Sequence, residues 1–478
     1  MRLFDTLSRQ ILDLPRPQDR PLRFYCCGPT VYGPAHIGNF RTFLMQDVLR
    51  RTLEVAGVDL FHVRNLTDVD DKTIRQSQAE GLPLGEFTKK WTGFFHRDCA
   101  ELNLLPPTVE PSAVASIAGQ IKMVEVLLEK GFAYRSGDGS VYFRVGALPT
   151  YGRLSHLQER EITTHTAATD EDEYSKDTAA DFALWKGRKP ADGPNFWRTP
   201  WGEGRPGWHL ECSAMCLEHL GETLDLHSGG EDLVFPHHEN EIAQSEAANG
   251  KPFCHHWFHI AHLMVDGQKM SKSLGNLYTL ADLKSRGYAA HEVRYVLVSG
   301  SYRQTLNFTL DSLNAARSAL GKLRKGAESL ARTAGVPMEK LSLQQSLSPG
   351  SENRFTVFGG AWEALCDDLN TPRALGELFT GLKVAEEKIR AGGLTAEAAH
   401  GLLHELGKCL YALGLTLPDP LAEASPSDVP AEIQALARER WQSKQDKNFA
   451  RSDELRKQLD TLGWTILDKK DGFEVKRK

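Results

Sequence analysis

The strongest constraint on the fold comes from two strand-like segments that flank one helical pattern near the start of the chain. PLRFYCCG reads as a strand, and DLFHVRNLTDVDD reads as a second strand. Between them, NFRTFLMQDVLRRTLEVAG places apolar residues at helical spacing from Phe40 to Leu53 and closes at Gly57. This order predicts a β-α-β unit, and therefore a parallel sheet with a right-handed crossover.

The link between the first strand and its helix, GPTVYGPAHIGN, predicts an anion-binding turn. Free backbone N–H groups and the helix dipole attract negative charge at such a turn. Gly38 allows a phosphate or a nucleobase to approach the backbone closely, and His36 can donate a hydrogen bond to phosphate. A glycine-containing loop with a structural histidine explains the same residues equally well.

The 478 residues predict more than one domain. Residues 1–310 contain the sheet signals, interrupted at about 115–205 by an irregular insertion with the acidic stretch TTHTAATDEDEYSKD. From 311 to 415 the pattern is helical, and Pro/Ser-rich linkers near 335–351 and 416–430 mark boundaries. Residues 430–478 read as a helix pair followed by a β-hairpin that turns at Asp471-Gly472.

Charge is distributed unevenly along the chain. The net charge is −6, yet residues 433–478 contain twelve Lys/Arg against eight Asp/Glu. A basic tail on an acidic body indicates a polyanion contact, and a solvated helix pair is an equally good alternative. Eight cysteines in so long a chain do not make a disulfide scaffold, so a reduced cytoplasmic setting is expected. The sequence contains no apolar stretch typical of a signal peptide or a membrane span.

A second loop, VDGQKMSKSLGN, places Lys269 and Lys272 among Gly and Ser. Two lysines on a mobile loop suit a triphosphate whose charge shifts during reaction, although a surface loop could also carry them. Together with H-I-G-N upstream, K-M-S-K-S resembles the signature pair of class I aminoacyl-tRNA synthetases. Asn39 stands where the H-I-G-H signature has its second histidine, so this side chain can donate to phosphate but cannot carry charge.

Four segments resemble the cysteinyl-tRNA synthetase family, in order and across nearly the whole chain. They are CCGPTVYGPAHIGN, RPGWHLECSAM, GGEDLVFPHHENEIAQS and DDLNTPRAL. The resemblance implies an α/β fold: a Rossmann-type catalytic domain over 1–310 with a stem-contact region at about 245–310, a DALR-type helical bundle over 311–415, and a small anticodon-binding domain over 430–478. It implies L-cysteine, ATP with Mg²⁺ and tRNA(Cys) as substrates, and a monomer is expected.

A metal site is predicted where one helical pattern meets two cysteines. His237 and Glu241 are four residues apart in a helix that Pro236 would begin, so both can reach one ion. The resemblance adds Cys27 and Cys212, which complete a Cys₂HisGlu set that suits one Zn²⁺ per chain. The competing candidates are Cys216, His238, His255, His256, His259 and His262.

Cys26 and Cys27 are adjacent, and successive strand side chains point to opposite faces. We therefore assign Cys27, which precedes the glycine of the family motif, to the metal and Cys26 to the core. A zinc ion would distinguish the thiolate of cysteine from the hydroxyl of serine, which an apolar pocket separates poorly.

The resemblance also implies the remaining site residues. Trp208 would form a wall of the amino-acid pocket, and Thr30 would lie near the substrate. Asp232 is a candidate for the ribose or the substrate ammonium, or else a structural loop aspartate. The predicted catalytic and ATP-binding residues are His36, Gly38, Asn39, Asp232, Lys269 and Lys272.

Two other functions are compatible with parts of the sequence. A ligase that joins cysteine to an amino sugar resembles the same catalytic half, but it lacks an anticodon-recognising tail, and here DDLNTPRAL and the basic end are present. A non-catalytic RNA-binding paralogue would be expected to have lost metal ligands or the lysine loop, and here all of them are intact.

Overall fold

The β-α-β unit predicted from the first strands is present in a computed structural model of the chain. The structure describes residues 1–157, 181–271, 274–336, 355–417, 431–446, 448–469 and 472–477. The acidic Thr-rich stretch, Lys272 and most of the two predicted linkers therefore lie outside the described residues. Within the described ranges, no helix is both long enough and apolar enough to cross a membrane.

The N-terminal part builds the centre of a parallel sheet. Its elements are β1 (Arg2–Asp5), β2 (Gln10–Asp13), β3 (Leu22–Cys26), α1 (Ile37–Val55), β4 (Leu60–Arg64), α2 (Asp71–Ala79) and α3 (Leu84–Glu101). β3 and β4 pair in parallel, with Phe24 opposite His62. Helix α1 is the crossover, and it buries Phe40, Leu44 and Val48 because these residues recur every four positions on one helix face.

The predicted irregular insertion instead contains a helix and an antiparallel sheet. The elements are α4 (Ile117–Glu129), β5 (Ala133–Arg135), β6 (Val141–Phe143), β7 (Phe182–Gly187), β8 (Trp197–Thr199), β9 (Gly202–Pro206) and α5 (Trp208–Leu220). The five strands are ordered β5-β6-β7-β9-β8, and β5, β6 and β7 share a hydrophobic cluster with α4. The prediction of irregular structure was wrong here because three of these strands span only three residues, too few to show an alternating pattern.

Two further parallel strands complete the central sheet and bring distant segments to its edge. This region comprises β10 (Leu226–Gly230), α6 (Glu239–Asn249), β11 (Trp257–Ile260), β12 (Leu263–Val265), β13 (Gln268–Lys269), α7 (Leu280–Ser285), α8 (Ala290–Val298) and β14 (Leu306–Phe308). The sheet order is β11-β10-β3-β4, with all neighbours parallel. The carboxyl ends of β3, β10 and β11 therefore meet at one edge, where ligands bind in open α/β sheets.

A helical bundle follows and shares its core with the sheet. Its helices are α9 (Leu310–Ala334), α10 (Gly359–Cys366), α11 (Thr371–Arg390) and α12 (Ala396–Leu413). One hydrophobic cluster includes Phe24 of β3, Leu297 of α8 and Leu406 of α12, and the chain from Met1 to Leu417 forms one compact unit. The predicted division of this unit near residue 310 stays a prediction.

The second compact unit, Pro418–Lys478, contains the basic end of the chain. It comprises α13 (Ala431–Gln445), α14 (Phe449–Thr461), β15 (Trp464–Lys469) and β16 (Gly472–Arg477). The predicted helix pair and hairpin are therefore confirmed. The strand ladder ends where Lys469 pairs with Gly472, and Asp471 of the predicted turn lies outside the described residues.

A buried charge cluster links the sheet and the bundle within the first unit. Arg294 Nη2 and Arg51 Nε donate to Oδ2 of Asp47 over 2.6 and 2.7 Å. Arg294 also donates to the carbonyl of Leu413 at the end of α12, over 3.0 Å. Burial alone would raise the pKa of Asp47, but the two guanidinium groups hold it below its ordinary value. The carboxylate therefore stays charged and compensates two cations that are cut off from water.

Replacing Asp47 by Asn is expected to lower the free energy of unfolding by about 3 kcal/mol, because it leaves two buried cations without a counter-charge. The amide keeps the shape of the side chain, so the loss reports on charge. Asp367→Asn is the matched control, because the Arg2–Asp367 pair is exposed on both sides and such pairs contribute about 0–1 kcal/mol. Urea unfolding of the two variants measures the difference, and equal midpoints would contradict the role assigned to Asp47.

Candidate active site

The four predicted metal ligands meet at the carboxyl edge of the sheet. Cys27 follows β3, Cys212 lies in α5, His237 precedes α6 and Glu241 lies in its first turn. One ligand atom from each side chain lies within 4.8 Å of the other three, and all four residues are buried. His237 Nε2 is 2.9 Å from Glu241 Oε1, and Cys27 Sγ is 3.7 Å from the same oxygen. The arrangement could hold one metal ion.

The backbone around His237 differs from the predicted helix. The chain is kinked at Phe235 within Val234–His238, and α6 begins only at Glu239. Phe235 has an extended backbone (φ −140°, ψ 133°), as expected for a residue before proline. Despite this irregular start, the ligand atoms of His237 and Glu241 lie within 4.8 Å of each other, and their binding of one ion stays a prediction.

The alternation of Cys26 and Cys27 places the two thiols in different surroundings. Cys26 ends β3 and packs in the main hydrophobic core. Cys27 instead belongs to the four predicted metal ligands, called the metal cluster below: Cys27, Cys212, His237 and Glu241. Cys216 is buried in an apolar cluster and belongs to neither donor group described here. The donor set of two thiols, an imidazole and a carboxylate fits the ligand preferences of Zn²⁺.

A second donor group overlaps the first. Cys27 and Glu241 also lie within 4.8 Å of ligand atoms of His227 and His238. His227 Nε2 is 2.8 Å from Glu241 Oε2, and His238 Nε2 is 3.3 Å from Cys27 Sγ. Sequence reasoning placed His238 among the competing candidates, and the structure brings it to the cluster.

Two histidines at the cluster were missed by sequence reasoning. His227 lies in β10, and His209 contacts His237 with 2.9 Å between their Nδ1 atoms. A signal for His209 was present, because it lies three residues before Cys212 on α5 and so shares its helix face. His227 gave no such signal, because only the parallel pairing of β10 with β3 brings it to the site.

Electrostatics at the cluster favour deprotonation of one of its two thiols, Cys212, whereas burial and the contact with Cys212 raise the pKa of Cys27. The Cys27 thiol hydrogen-bonds to Cys212, and with nearby His237 this lowers the pKa of Cys212 to about 6 in spite of burial. Burial would raise the pKa of Glu241, but His227 and His237 lower it to about 2. Burial would lower the pKa of His237, but Glu241 and Cys212 raise it to about 10. Without a metal, an imidazolium is therefore paired with the Cys212 thiolate and the Glu241 carboxylate, and a divalent cation bound there would displace the proton of His237.

The two predicted substrate residues, Trp208 and Thr30, differ in their contacts. The ring of Trp208, the first residue of α5, lies 4.3 Å from that of His237. Thr30 lies three residues beyond Cys27 and pairs by its backbone with Thr67 after β4. The structure thus places Trp208 directly against the cluster and Thr30 in the loop that leaves it.

His36 and Asn39 cap the helix that follows β3. His36 Nδ1 accepts from the Asn39 backbone N–H over 3.3 Å, and Asn39 Oδ1 accepts from the His36 N–H over 3.1 Å. Burial lowers the pKa of His36, and Asp232, which follows β10, opposes that shift. The segment therefore presents a largely neutral imidazole at the helix N-terminus.

The H-I-G-N and K-M-S-K-S segments touch each other. The Ile37 backbone N–H donates over 2.9 Å to the carbonyl of Tyr278, which lies two residues after the VDGQKMSKSLGN loop. A Cβ atom at Gly38 would lie 2.2 Å from the terminal methyl of Met270, so a larger residue cannot occupy this position without a shift. The close approach of a phosphate or a nucleobase at Gly38 stays a prediction, and in the structure the atom nearest to this position belongs to Met270.

The loop that carries the two lysines is only partly described. Lys269 ends β13 and is exposed, and Asn276 holds the loop by accepting from the Ser271 N–H over 2.8 Å and donating to the Lys269 carbonyl over 3.2 Å. Lys272 lies outside the described residues. The described part of the loop therefore contains one of the two predicted lysines, and the residue after it, Met270, is the one that lies against Gly38.

Comparisons with known proteins agree with this geometry. A family profile described as the class I (C) catalytic domain of tRNA synthetases matches residues 15–318, and a DALR domain profile matches residues 362–417. Methionyl-tRNA synthetase from Mycobacterium tuberculosis, bound to methionyl-adenylate, is similar in fold, with a TM-score of 0.56 over 85% of this chain and 95% of that chain, at 13% sequence identity. A second structure of that protein with methionyl-adenylate has a TM-score of 0.54 over 83% of this chain and 90% of that chain, at 14% identity.

The parallel sheet, the two signature segments and the catalytic-domain match define a class I aminoacyl-tRNA synthetase. Curated relatives are named cysteine–tRNA ligase. The protein from Opitutus terrae is 51% identical over 99% of this chain and 98% of its own length, and that from Solibacter usitatus is 43% identical over 100% of both. The protein from Chlamydia felis is 40% identical over 99% of this chain and 97% of its own length. The chain belongs to the cysteine–tRNA ligase family.

Proposed function

We propose that this protein is an ATP-dependent cysteine–tRNA ligase. It activates L-cysteine with ATP to cysteinyl-adenylate and pyrophosphate, and it then transfers the cysteinyl group to the 3′ end of tRNA(Cys). The observation that carries the proposal is the Cys₂HisGlu cluster, which lies on the sheet edge that also carries the H-I-G-N segment. A soft donor set beside an ATP signature suits activation of a thiol-bearing amino acid.

Selection of cysteine over serine follows from the donor set. Cys27, Cys212, His237 and Glu241 would hold one Zn²⁺, which when bound supplies a position that prefers thiolate sulfur to a hydroxyl. Trp208 lies against His237 and would limit the size of the side-chain pocket. Such discrimination between near-isosteres does not require an editing site.

The activation step requires positioning and charge stabilisation more than covalent chemistry by the protein. The cysteine carboxylate attacks the α-phosphorus of ATP, and pyrophosphate leaves with Mg²⁺. His36, Asn39, Lys269 and Lys272 would contact the phosphates, with the lysines following the charge that moves onto the leaving group. Gly38 would lie beside the ATP, and Asp232 at the ribose or the substrate ammonium.

Transfer requires recognition of tRNA, which we assign in part to the unit Pro418–Lys478. Residues 433–478 of this unit carry the excess of Lys and Arg that suits an anticodon stem and loop. Residues at about 245–310 would contact the acceptor stem. The monomeric state and the cytoplasmic location expected from the sequence stay predictions.

ATP–pyrophosphate exchange with cysteine, followed by transfer to either tRNA or an amino sugar, tests the proposal against its alternatives. A cysteine–tRNA ligase exchanges pyrophosphate and charges tRNA. Transfer of cysteine to the amino sugar but not to tRNA would indicate the ligase that joins cysteine to an amino sugar. Binding of RNA without pyrophosphate exchange would indicate a non-catalytic paralogue.

Removing residues from 430 onward is expected to leave cysteine-dependent exchange within about twofold of the full chain, because Met1–Leu417 form a separate compact unit. Charging of tRNA should fall at least about tenfold at physiological salt, and the loss should shrink at low salt, where the remaining phosphate contacts suffice. Exchange serves as the internal control for folding of the truncated chain. Unchanged charging would refute the anticodon role of the tail.

A further inference from the structure

A cavity of about 380 Å³ lies at the carboxyl ends of β10 and β11, next to the metal cluster. Glu231 and Val234 border it after β10, and Ala261 borders it after β11. Phe4 of β1 and Arg9 of the following turn close another side. The volume is within the range of sites for small molecules or single nucleotides.

Two imidazole rings separate this cavity from the metal cluster. His259 lines the cavity, and its Nε2 lies 2.7 Å from Nδ1 of His238. His238 Nε2 in turn lies 3.3 Å from Cys27 Sγ. The cavity is therefore a neighbour of the amino-acid site. Neither His36 nor Lys269 is among the described residues that line it, so it is distinct from the expected triphosphate site.

The cavity wall contains a preorganised pair of an arginine and an aromatic ring. The Arg303 guanidinium lies over the Phe4 ring, 4.0 Å from its centroid. Asp368 holds both residues, because its Oδ2 accepts from Arg303 Nη1 and its Oδ1 accepts from the Phe4 backbone N–H, each over 2.9 Å. The guanidinium is thus fixed in place where it lines the cavity.

The lining has the chemistry of a site for a nucleotide with its phosphate. Arg303 and Arg9 contribute two guanidinium groups, which suit phosphate oxygens. Phe4, Leu154 and Val234 contribute apolar surface against which a base can pack. A carboxylate, Glu231, is also present, and carboxylates accept hydrogen bonds from the amino group of cytosine.

We propose that this cavity binds a cytidine that precedes the terminal adenosine of the tRNA 3′ end, with its phosphate at Arg9 and Arg303. The inference rests on the proposed function. The terminal ribose must reach the cysteinyl group at the carboxyl edge of the sheet, so the nucleotide before it needs an adjoining space. ATP is the other nucleotide substrate, but its phosphates are assigned to the H-I-G-N and K-M-S-K-S segments.

The test measures how tightly each protein variant binds complete tRNA and tRNA that lacks its last three nucleotides. Arg303→Gln and Arg9→Gln are expected to weaken binding of complete tRNA about tenfold, because each loses a charged contact, and to bind the shortened tRNA as the wild type does. Glu231→Gln keeps the size of the side chain and should slow single-turnover transfer from preformed cysteinyl-adenylate. Arg198→Gln is the control, since Arg198 is 87% exposed and does not line the cavity.

Cysteine-dependent pyrophosphate exchange by all variants should stay within about twofold of the wild type, which also establishes that they fold. An increased KM for ATP with normal transfer would overturn the inference and assign the cavity to ATP. Equal weakening for complete and shortened tRNA would overturn it in favour of a stem contact. No change in any variant would overturn it while leaving the proposed function intact, whereas a wild-type protein that charges no tRNA would refute both.

Discussion

Cys27→Ser is expected to lose its bound zinc and its cysteine-dependent pyrophosphate exchange together. Loss of a residue that only orients a metal ligand typically lowers metal affinity or activity about 10–100-fold. Loss of a ligand itself should lower the exchange rate more, by about 1,000-fold. Cys27 belongs to both donor groups of the cluster, so no alternative arrangement of the described side chains replaces its sulfur. ATP affinity should change little, because the H-I-G-N segment is held by its own capping contacts.

Cys26→Ser is the matched control for this variant. The two cysteines are neighbours, but Cys26 packs in the main core and is not part of either donor group. Its replacement should retain the zinc and lower stability by about 1–3 kcal/mol, since it buries a hydroxyl among apolar side chains. Metal content per chain measures both variants. Equal zinc loss in the two, or zinc retained in Cys27→Ser, would contradict the assignment of Cys27.

The choice between the two donor groups needs a separate pair of variants, because both contain Cys27 and Glu241. Cys212→Ser should lose zinc, since it removes one of two thiols from the proposed set. His238→Gln should retain zinc, because in that set His238 is a neighbour of Cys27 and its other nitrogen contacts His259. The reverse outcome would assign the metal to the group with His227 and His238.

The first β-α-β unit and the metal cluster could be predicted from the sequence for a physical reason. Helical spacing of Phe40, Leu44 and Val48 and the spacing of His237 and Glu241 are local, so each is visible in a short stretch of sequence. The family motifs then supplied Cys27 and Cys212, which local spacing alone could not join to the helix. The pairing of β3 with β10 brings these segments together in space.

The histidines around the cluster and the sheet inside the insertion could not be predicted in the same way. His227 reaches Glu241 only through the register of β10 beside β3, which leaves no mark on the neighbouring sequence. The strands β5, β6 and β8 are too short to show alternation, and their pairing is non-local. In both cases tertiary contacts decide the structure, and the local sequence contains little of that information.

Gly38→Ala is expected to lower the rate of cysteinyl-adenylate formation about 100-fold with little loss of stability. The added methyl would lie 2.2 Å from the end of the Met270 side chain and 3.0 Å from Nδ1 of His36, so Met270 must shift and the His36 ring is crowded. Because Met270 is flexible at its tip, the fold can accommodate the shift. A displacement of about 1 Å in catalytic positioning can nevertheless cost about 100-fold in rate.

Gly33→Ala is the control, since Gly33 lies in the same loop and a Cβ there would meet no atom within 4 Å. It should exchange pyrophosphate within about twofold of the wild type, because it changes the same residue type without a clash.

Met270→Ala combined with Gly38→Ala should recover part of the lost rate, because it removes the atom that the new methyl would meet. If the double variant is as slow as Gly38→Ala, the loss arises from the space that the methyl takes from ATP and not from displacement of the lysine loop. If Gly38→Ala keeps wild-type exchange, contact between the two segments does not position the phosphates at all.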